Sequence, residues 1–142
     1  MKKDIYFYFY FLNLSGEIIF KKFGTNYYVI DKFPLANRAF YTMEDTDELG
    51  SGYSNSYDFF IRGEEVLSGA QRISDGKALT EAISKRGIDV NMLESYVSAI
   101  SAGVETHGGG GIGLERVLMF MMDLRNIRRT SLFPRDPQRL SP

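Results

Sequence analysis

The segment RGEEVLSGAQR, Arg62 to Arg72, combines residue types that could bind a small charged molecule. If it forms a strand, alternation places Ser68 and Arg72 on one face beside small residues, where the arginine could hold a carboxylate in bidentate fashion. Glu65 falls on the opposite face. A bulge or local twist would be needed to bring it to Ser68, where the pair would offer Mg²⁺ hard oxygen ligands beside a nucleotide. The alternative is a surface strand with solvated charges.

A run of glycines follows His107 in the segment HGGGGIGLERVLMF and ends just before Arg116. Ordering glycine costs more entropy than ordering any other residue, so the run implies that something approaches this backbone closely. It matches the Gly-x-Gly-x-x-Gly dinucleotide pattern, but the preceding SAGVETH is not the hydrophobic strand which that pattern requires. A Walker-type phosphate loop is excluded, because Leu114-Glu115 stands where that loop has Lys-Ser or Lys-Thr.

Two interpretations of the glycine run remain. A flat glycine strand could accept a planar group such as a nucleobase, and the positive end of the helix that follows, with Arg116, could hold phosphate oxygens. Alternatively, the glycines serve only tight packing of a helix on a sheet, and Arg116 pairs with a nearby acid.

The composition excludes several classes of site. The chain has 142 residues, a net charge of -1 and 25% charged residues, as in a soluble globular domain. Without cysteine and with one histidine, it has no disulfide, no thiolate metal site and no histidine-rich site. The apolar run Ile5–Leu12 is too short to span a bilayer, and its aromatic core and Asp4 argue against a signal peptide. We interpret it as a buried or edge strand.

The elements that must position these residues can be predicted from hydrophobic periodicity and turn residues. The predicted strands are a buried strand from Tyr27 to Leu35 that ends at Pro34, two strands within Ser56–Ile73 joined by a turn near Gly63 and Glu64, and a short strand at the glycine run. A loop is predicted from Met43 to Ser56.

Three helices are predicted after these strands. They cover Lys77–Lys85 with Gly87 as the C-terminal stop, Met92–Ile100 with Asn91 as N-cap, and Leu114–Leu124 with a core face formed by Val117, Leu118, Met121 and Leu124. Antiparallel strands with helices between them indicate an α+β fold.

Three segments together resemble the class II aminoacyl-tRNA synthetases, and in particular the eukaryotic-type aspartyl-tRNA synthetases. SNSYDFFIRGEEVLSGAQRI resembles the amino-acid-binding segment, GGGGIGLERVLMF resembles motif 3, and NIRRTSLFPRDPQRLSP resembles the C-terminus. The resemblance implies a partial class II catalytic fold, an antiparallel sheet flanked by helices. It implies that residues 15–142 are the C-terminal part of the catalytic domain. Residues 1–14 are then a head outside the family, which we interpret as a translated intron or a mis-set start.

The resemblance also implies roles for single residues in binding the amino acid. Ser68 resembles the serine that contacts aspartate and a metal ion, and Arg72 resembles the arginine that holds the aspartate side chain. His107 matches a histidine near the same pocket, although it could equally be a loop residue that orients the glycine strand. Glu65 is similar to the glutamate that contacts ATP through Mg²⁺, which makes Glu65 and Ser68 the implied metal ligands.

The ATP-binding stretch of motif 3 corresponds to Gly113, Leu114, Glu115 and Arg116, with Arg116 on the γ-phosphate. The resemblance therefore assigns catalysis to Arg116 and Glu65.

The implied activity is that of an aspartate–tRNA ligase, which activates L-aspartate with ATP and transfers it to tRNA(Asp). The family forms cytoplasmic homodimers and has no membrane segment. This chain lacks motifs 1 and 2 and the anticodon-binding domain, so we expect it to be inactive and poorly soluble alone, with apolar strand edges uncovered. The alternative is a non-catalytic synthetase-like module that binds ATP or aspartate.

Overall fold

A computed structural model describes residues 14–47 and 50–140 of the chain. Its helices are α1 (residues 14–23), α2 (Gly76–Lys85), α3 (Glu94–Ser101) and α4 (Leu114–Met121). Its strands are β1 (Tyr27–Asp31), β2 (Ser56–Ile61), β3 (Glu64–Gln71) and β4 (Gly108–Ile112). Short 3-10 turns occupy Leu35–Asn37, Val90–Leu93 and Ile127–Thr130. The strand predicted at Ile5–Leu12 lies outside the described residues, as does all of the predicted head except Leu14, which is in α1.

The four strands form one antiparallel sheet in the order β1-β2-β3-β4. The predicted hairpin is confirmed, and its two-residue turn consists of Arg62 and Gly63, with φ values of 52° and 83°. Two consecutive positive φ values are the mark of the type I′ turn, whose twist matches that of paired strands. The predicted α+β class is therefore confirmed, with β1 and β4 as the edges of the sheet among the described residues.

The predicted strand from Tyr27 to Leu35 is wrong in length and in burial. β1 ends at Asp31, because Lys32 adopts a left-handed conformation with φ 56° and a 3-10 turn follows Pro34. Tyr28 is the buried residue of β1, and both its neighbours are exposed. This is the pattern of an edge strand with one covered face.

The chain divides into two compact units, and the boundary between them crosses every strand. The first comprises Met1–Tyr28, Phe59–Leu67 and Ile112–Pro142, and the second comprises Val29–Asp58 and Ser68–Gly111.

The second unit has a hydrophobic core beneath α2 and α3. Ile73, Leu79, Ile83 and Ile100 are buried there. Asp75 caps α2 by accepting a hydrogen bond from the Ala78 amide at 2.8 Å, and Gly87 turns the chain after it with φ 68°. This confirms the predicted helix and its glycine stop.

The predicted N-cap of the next helix is wrong. Asp89, not Asn91, caps this segment, and its side chain accepts a hydrogen bond from the Asn91 amide at 3.0 Å. The capped element is the 3-10 turn Val90–Leu93, and α3 begins only at Glu94. An aspartate two residues earlier competes well for the cap, because its carboxylate accepts hydrogen bonds from exposed amides.

In the first unit, the predicted core face of α4 is correct only in part, because Val117, Leu118 and Leu124 are partly buried and Leu124 lies after the end of the helix. Met119 is buried, whereas Met121 is 79% exposed. The helix ends at Met121, because Asp123 adopts φ 51° and turns the chain. Met119 lies three residues after Arg116, so both lie on one side of the helix. The buried face is therefore the one that carries Arg116.

Candidate functional site

A cavity of about 350 Å³ opens in the second unit, within the size range of small-molecule sites. Its lining residues are Asn37, Arg38, Ala39, Tyr41, Thr42, Ser68, Gly69, Ala70, Arg72, Gly109, Gly110 and Gly111. Ser68, Ala70 and Arg72 all line it, as strand alternation predicts.

The Arg72 guanidinium is the charged group best placed to bind a ligand in this cavity. The guanidinium Cζ lies 5.7 Å from the centre of the Tyr41 ring. The backbone amide of Arg72 donates a hydrogen bond to the His107 carbonyl at 2.9 Å. Among residues 14–47 and 50–140, no carboxylate lies within ion-pair distance of this guanidinium. A cation at a cavity wall that no carboxylate of these described residues neutralises favours an anionic ligand.

The glycine run has a physical reason at Gly109. A Cβ atom at this position would lie 2.8 Å from Cζ of Arg72, which is closer than real Cβ atoms approach, so the end of that side chain would have to shift. At Gly108, a Cβ atom would lie 3.3 Å from the Ala70 carbonyl oxygen, whereas at Gly111 it would meet nothing within 4 Å. One group that comes close to this backbone is therefore Arg72, the residue that directly follows β3.

Ser68 lies within a network that sequence reasoning missed. Arg38 binds both carboxylate oxygens of Asp58, with Nη1–Oδ1 at 3.0 Å and Nη2–Oδ2 at 2.8 Å. Its Nη1 also donates to the Ser68 hydroxyl at 2.9 Å, and its Cζ lies 3.9 Å from the centre of the Phe33 ring. One signal could have found the network. Asp58 shares the buried face of β2 with Phe60, and a buried carboxylate requires a partner.

A second polar network ties the loop before β2 to the end of β3. Lys32 Nζ donates to Asp45 Oδ1 at 2.5 Å and to Asn55 Oδ1 at 2.9 Å, and Asn55 Nδ2 donates to Gln71 Oε1 at 2.9 Å. The hydrogen bond from Lys32 holds the pKa of Asp45 below its usual value, and the pKa of Lys32 is raised by the same contact. Gln71 directly precedes Arg72, so this network holds the backbone that carries the arginine.

In the first unit, the start of α4 lies against the start of β3. Arg116 Nη1 donates to the backbone carbonyl of Glu65, and the Gly113 amide donates to the Val66 carbonyl at 2.8 Å. Gly113 is the N-cap of α4 and makes no side-chain cap, so the first amides of the helix face outward with the positive end of its dipole. Glu65, Gly113 and Arg116 are thus brought together, while Leu114 and Glu115 are exposed beside them.

His107 is not among the residues that line the cavity. Its Nδ1 is 3.0 Å from the Glu105 carbonyl oxygen, and its own carbonyl accepts the hydrogen bond from the Arg72 amide. These contacts favour the loop interpretation of this histidine.

Ready-made metal sites and membrane-spanning helices are both absent from residues 14–47 and 50–140. No group of three or more histidine, cysteine, aspartate or glutamate residues there could by itself hold a metal ion. Nor is any helix in the same ranges long and apolar enough to cross a membrane.

The family model of the class II tRNA synthetases (D, K and N) matches residues 11–137. The chain belongs to this family. The class II synthetase chain is 52% identical over 129 residues to the cytoplasmic aspartate–tRNA ligase of Rattus norvegicus, a match that covers 91% of the chain and 25% of the relative. The chain thus spans about a quarter of the length of the curated relatives it matches.

Solved structures agree with this assignment. The aspartyl-tRNA synthetase of Entamoeba histolytica superposes with a TM-score of 0.86 at 47% identity. The match covers 92% of the present chain and 27% of the Entamoeba protein. The asparaginyl-tRNA synthetase of Pyrococcus horikoshii, complexed with asparaginyl-adenylate, superposes with a TM-score of 0.80 at 29% identity. This match covers 92% of the present chain and 30% of the asparaginyl enzyme. The predicted class II catalytic fold is confirmed.

Proposed function

We propose that this synthetase chain supplies part of the site of an aspartate–tRNA ligase. Such an enzyme activates L-aspartate with ATP to aspartyl-adenylate and then transfers the aspartyl group to tRNA(Asp). The observation that carries the proposal is the Arg72 guanidinium, which lies on the wall of a cavity of about 350 Å³ and has no carboxylate partner in the part of the chain that the structure describes. The higher identity to the aspartyl than to the asparaginyl structure supports the same choice.

Arg72 and Ser68 are the residues proposed to bind the amino acid. A guanidinium matches the two oxygens of a side-chain carboxylate, whereas the amide of asparagine would turn an N–H donor toward it. A site built this way rejects the amide strongly, because its buried donors would be left unpaired. His107 stays a predicted neighbour of the amino acid on the family resemblance alone, since it does not line the cavity.

The residues proposed to bind ATP are those at the start of α4, together with Glu65. The Arg116 guanidinium and the outward-facing amides after Gly113 suit phosphate oxygens, and Leu114 and Glu115 complete the predicted stretch.

The proposed metal is Mg²⁺, which would neutralise phosphate charge when bound. Mg²⁺ commonly takes one or two carboxylates and completes its coordination with phosphate oxygens and water, so the single carboxylate of Glu65 fits it. Ser68 fits less well, because its hydroxyl already accepts a hydrogen bond from a cation, Arg38. Glu65 and Ser68 also belong to different units, so a shared site stays a prediction.

The proposed chemistry needs no strong base among these residues. A carboxylate oxygen of aspartate forms a bond to the α-phosphorus of ATP, and the bond to the leaving pyrophosphate breaks. Arg72 and Ser68 would hold the attacking amino acid, and Arg116 would stabilise the charge of the leaving group. Holding reactants in line and neutralising phosphate charge can supply most of such a rate enhancement.

The whole enzyme is proposed to be a cytoplasmic homodimer that binds tRNA. The names of the curated relatives support the cytoplasm, and the dimer follows from the family resemblance alone.

A hybrid enzyme tests this proposal. In the rat relative, the matched segment would be replaced by this chain, and aspartate-dependent ATP–pyrophosphate exchange would be measured. We expect activity with L-aspartate, its loss on Arg72→Met, and no exchange with L-asparagine. Exchange that survives Arg72→Met, or that prefers asparagine, would contradict the proposal.

A non-catalytic module that binds aspartate is the second candidate, because the cavity is lined entirely by residues of the second unit. The 142-residue chain should then bind ¹³C-labelled L-aspartate in ligand-observed NMR while the hybrid remains inactive. Activity in the hybrid would exclude this alternative.

A further inference from the structure

The buried ion pair between Arg38 and Asp58 has no role in the chemistry proposed so far. The Arg38 side chain is 15% exposed and that of Asp58 is 2% exposed. Removing two charges from water is costly, and apolar residues of similar volume often give equal stability. Stability alone therefore does not account for an ion pair on the wall of the cavity.

The hydrogen bond from Arg38 to the Ser68 hydroxyl indicates what the ion pair does. A serine hydroxyl has one proton to donate and two lone pairs that accept. The N–H of Arg38 occupies a lone pair at 2.9 Å, which leaves the hydroxyl proton of Ser68 available for another acceptor. A carboxylate only accepts hydrogen bonds, so a serine held in this way is matched to an amino-acid carboxylate in the cavity.

We propose that Arg38 is a positioning residue, which presents Ser68 as a hydrogen-bond donor to the bound amino acid. The proposal deepens the function proposed above and rests on the binding of aspartate. Asp58 fixes the Arg38 guanidinium through both oxygens, and the Phe33 ring packs against its face. Asp58 also neutralises the charge of Arg38, so that Arg72 remains the cation for the ligand.

A double-mutant cycle on the full 142-residue chain tests the proposal. The four proteins are the wild type, Arg38→Lys, Ser68→Ala and the double variant, and the measured quantity is the affinity for ¹³C-labelled L-aspartate. Each single substitution should weaken binding by about tenfold, the value of a hydrogen bond to a charged group. The double variant should bind no more weakly than Ser68→Ala, because Arg38 then has no hydroxyl to orient. Additive losses, about a hundredfold in the double variant, would overturn the proposal.

Two further variants separate positioning from general structural support. Ser68→Thr keeps a hydroxyl, so it should restore binding and also restore the sensitivity to Arg38→Lys. Arg62→Lys is the control, because Arg62 is paired with Asp123 and does not line the cavity. A loss of affinity in Arg62→Lys equal to that in Arg38→Lys would contradict a specific role.

A ligand-free measurement separates this proposal from the proposed function. If the wild-type chain binds no aspartate, the same four variants are compared in the hybrid enzyme, whose aspartate-dependent exchange tests the proposed function, and the unfolding of the four 142-residue proteins still tests the link between Arg38 and Ser68. Non-additive changes in their free energies of unfolding would support the positioning contact. Additive changes would overturn it.

Discussion

At the scale of single residues, the site depends on what surrounds Arg72. Its guanidinium packs between the Tyr41 ring and the backbone of Gly109 and has no carboxylate partner within the described ranges. Arg38 lines the same cavity, and its charge is neutralised by Asp58. The roles proposed for these two arginines differ because Asp58 pairs with Arg38, whereas no carboxylate of residues 14–47 and 50–140 pairs with Arg72.

The first prediction concerns Gly109→Ala. The new Cβ would overlap the Arg72 guanidinium and force it out of position. We expect L-aspartate to bind at least about tenfold more weakly, with little change in stability, because the displaced atoms are the far end of a flexible side chain. Ligand-observed NMR and thermal unfolding measure the two effects.

Ile112→Ala is the control within the same strand, because the Ile112 side chain is 64% exposed and does not line the cavity. Equal losses of aspartate affinity in the two variants would show that general damage to β4, and not contact with Arg72, is responsible.

At the scale of elements, the segment between β1 and β2 is held by a lysine in an unusual conformation. Lys32 adopts φ 56°, ends β1 and directs its ammonium group to Asp45, Asp47 and Asn55. A non-glycine residue rarely holds a left-handed conformation unless its surroundings determine it. Here the three hydrogen bonds from the Lys32 ammonium group hold the residue in this conformation.

The second prediction is a pH window for this contact. The pKa of Asp45 is lowered, so its contribution to stability is present above the unfolded pKa of about 3.9 and is lost as pH falls through the folded value. The pKa of Lys32 is raised, so its contribution is present below about pH 10.4 and is lost as pH rises through the folded value.

Unfolding of the wild type and of Lys32→Met across the pH range measures this window. The stability difference between the two should be largest at neutral pH and should shrink in acid and in strong base. The range from about pH 3 to about pH 7 spans the ordinary aspartate pKa of about 3.9. A stability difference that stays constant over this range would contradict the role of the Asp45 carboxylate.

At the scale of the whole molecule, the chain carries large exposed apolar side chains and a sheet whose described edges are β1 and β4. Ile112 is 64% exposed, Leu114 72% and Met121 79%. β4 pairs on one side with β3, and among the described residues no strand pairs on its other side. Uncovered strand edges and apolar surface favour association between chains.

The third prediction is that the isolated chain self-associates and shows no ATP–pyrophosphate exchange. Sedimentation velocity at increasing concentration should show species larger than the 16.2 kDa monomer. Replacing exposed Met121 and Met122 by glutamine should reduce that association, because both side chains are more than half exposed. A monodisperse monomer with exchange activity near that of a complete synthetase would contradict both parts.

The sequence by itself determined the α+β class, the β2–β3 hairpin, the family and the residue types of the candidate site. These follow from local signals: alternation along a strand, a turn that requires positive φ, and motifs confined to short segments. Tertiary structure alone decided that Arg38 holds Asp58 and Ser68, that Gly109 makes room for Arg72, and that Met119 and not Met121 is buried. The physical reason is distance along the chain. Arg38 meets partners 20 and 30 residues away, and no periodicity within one element encodes which distant side chain will share its surroundings.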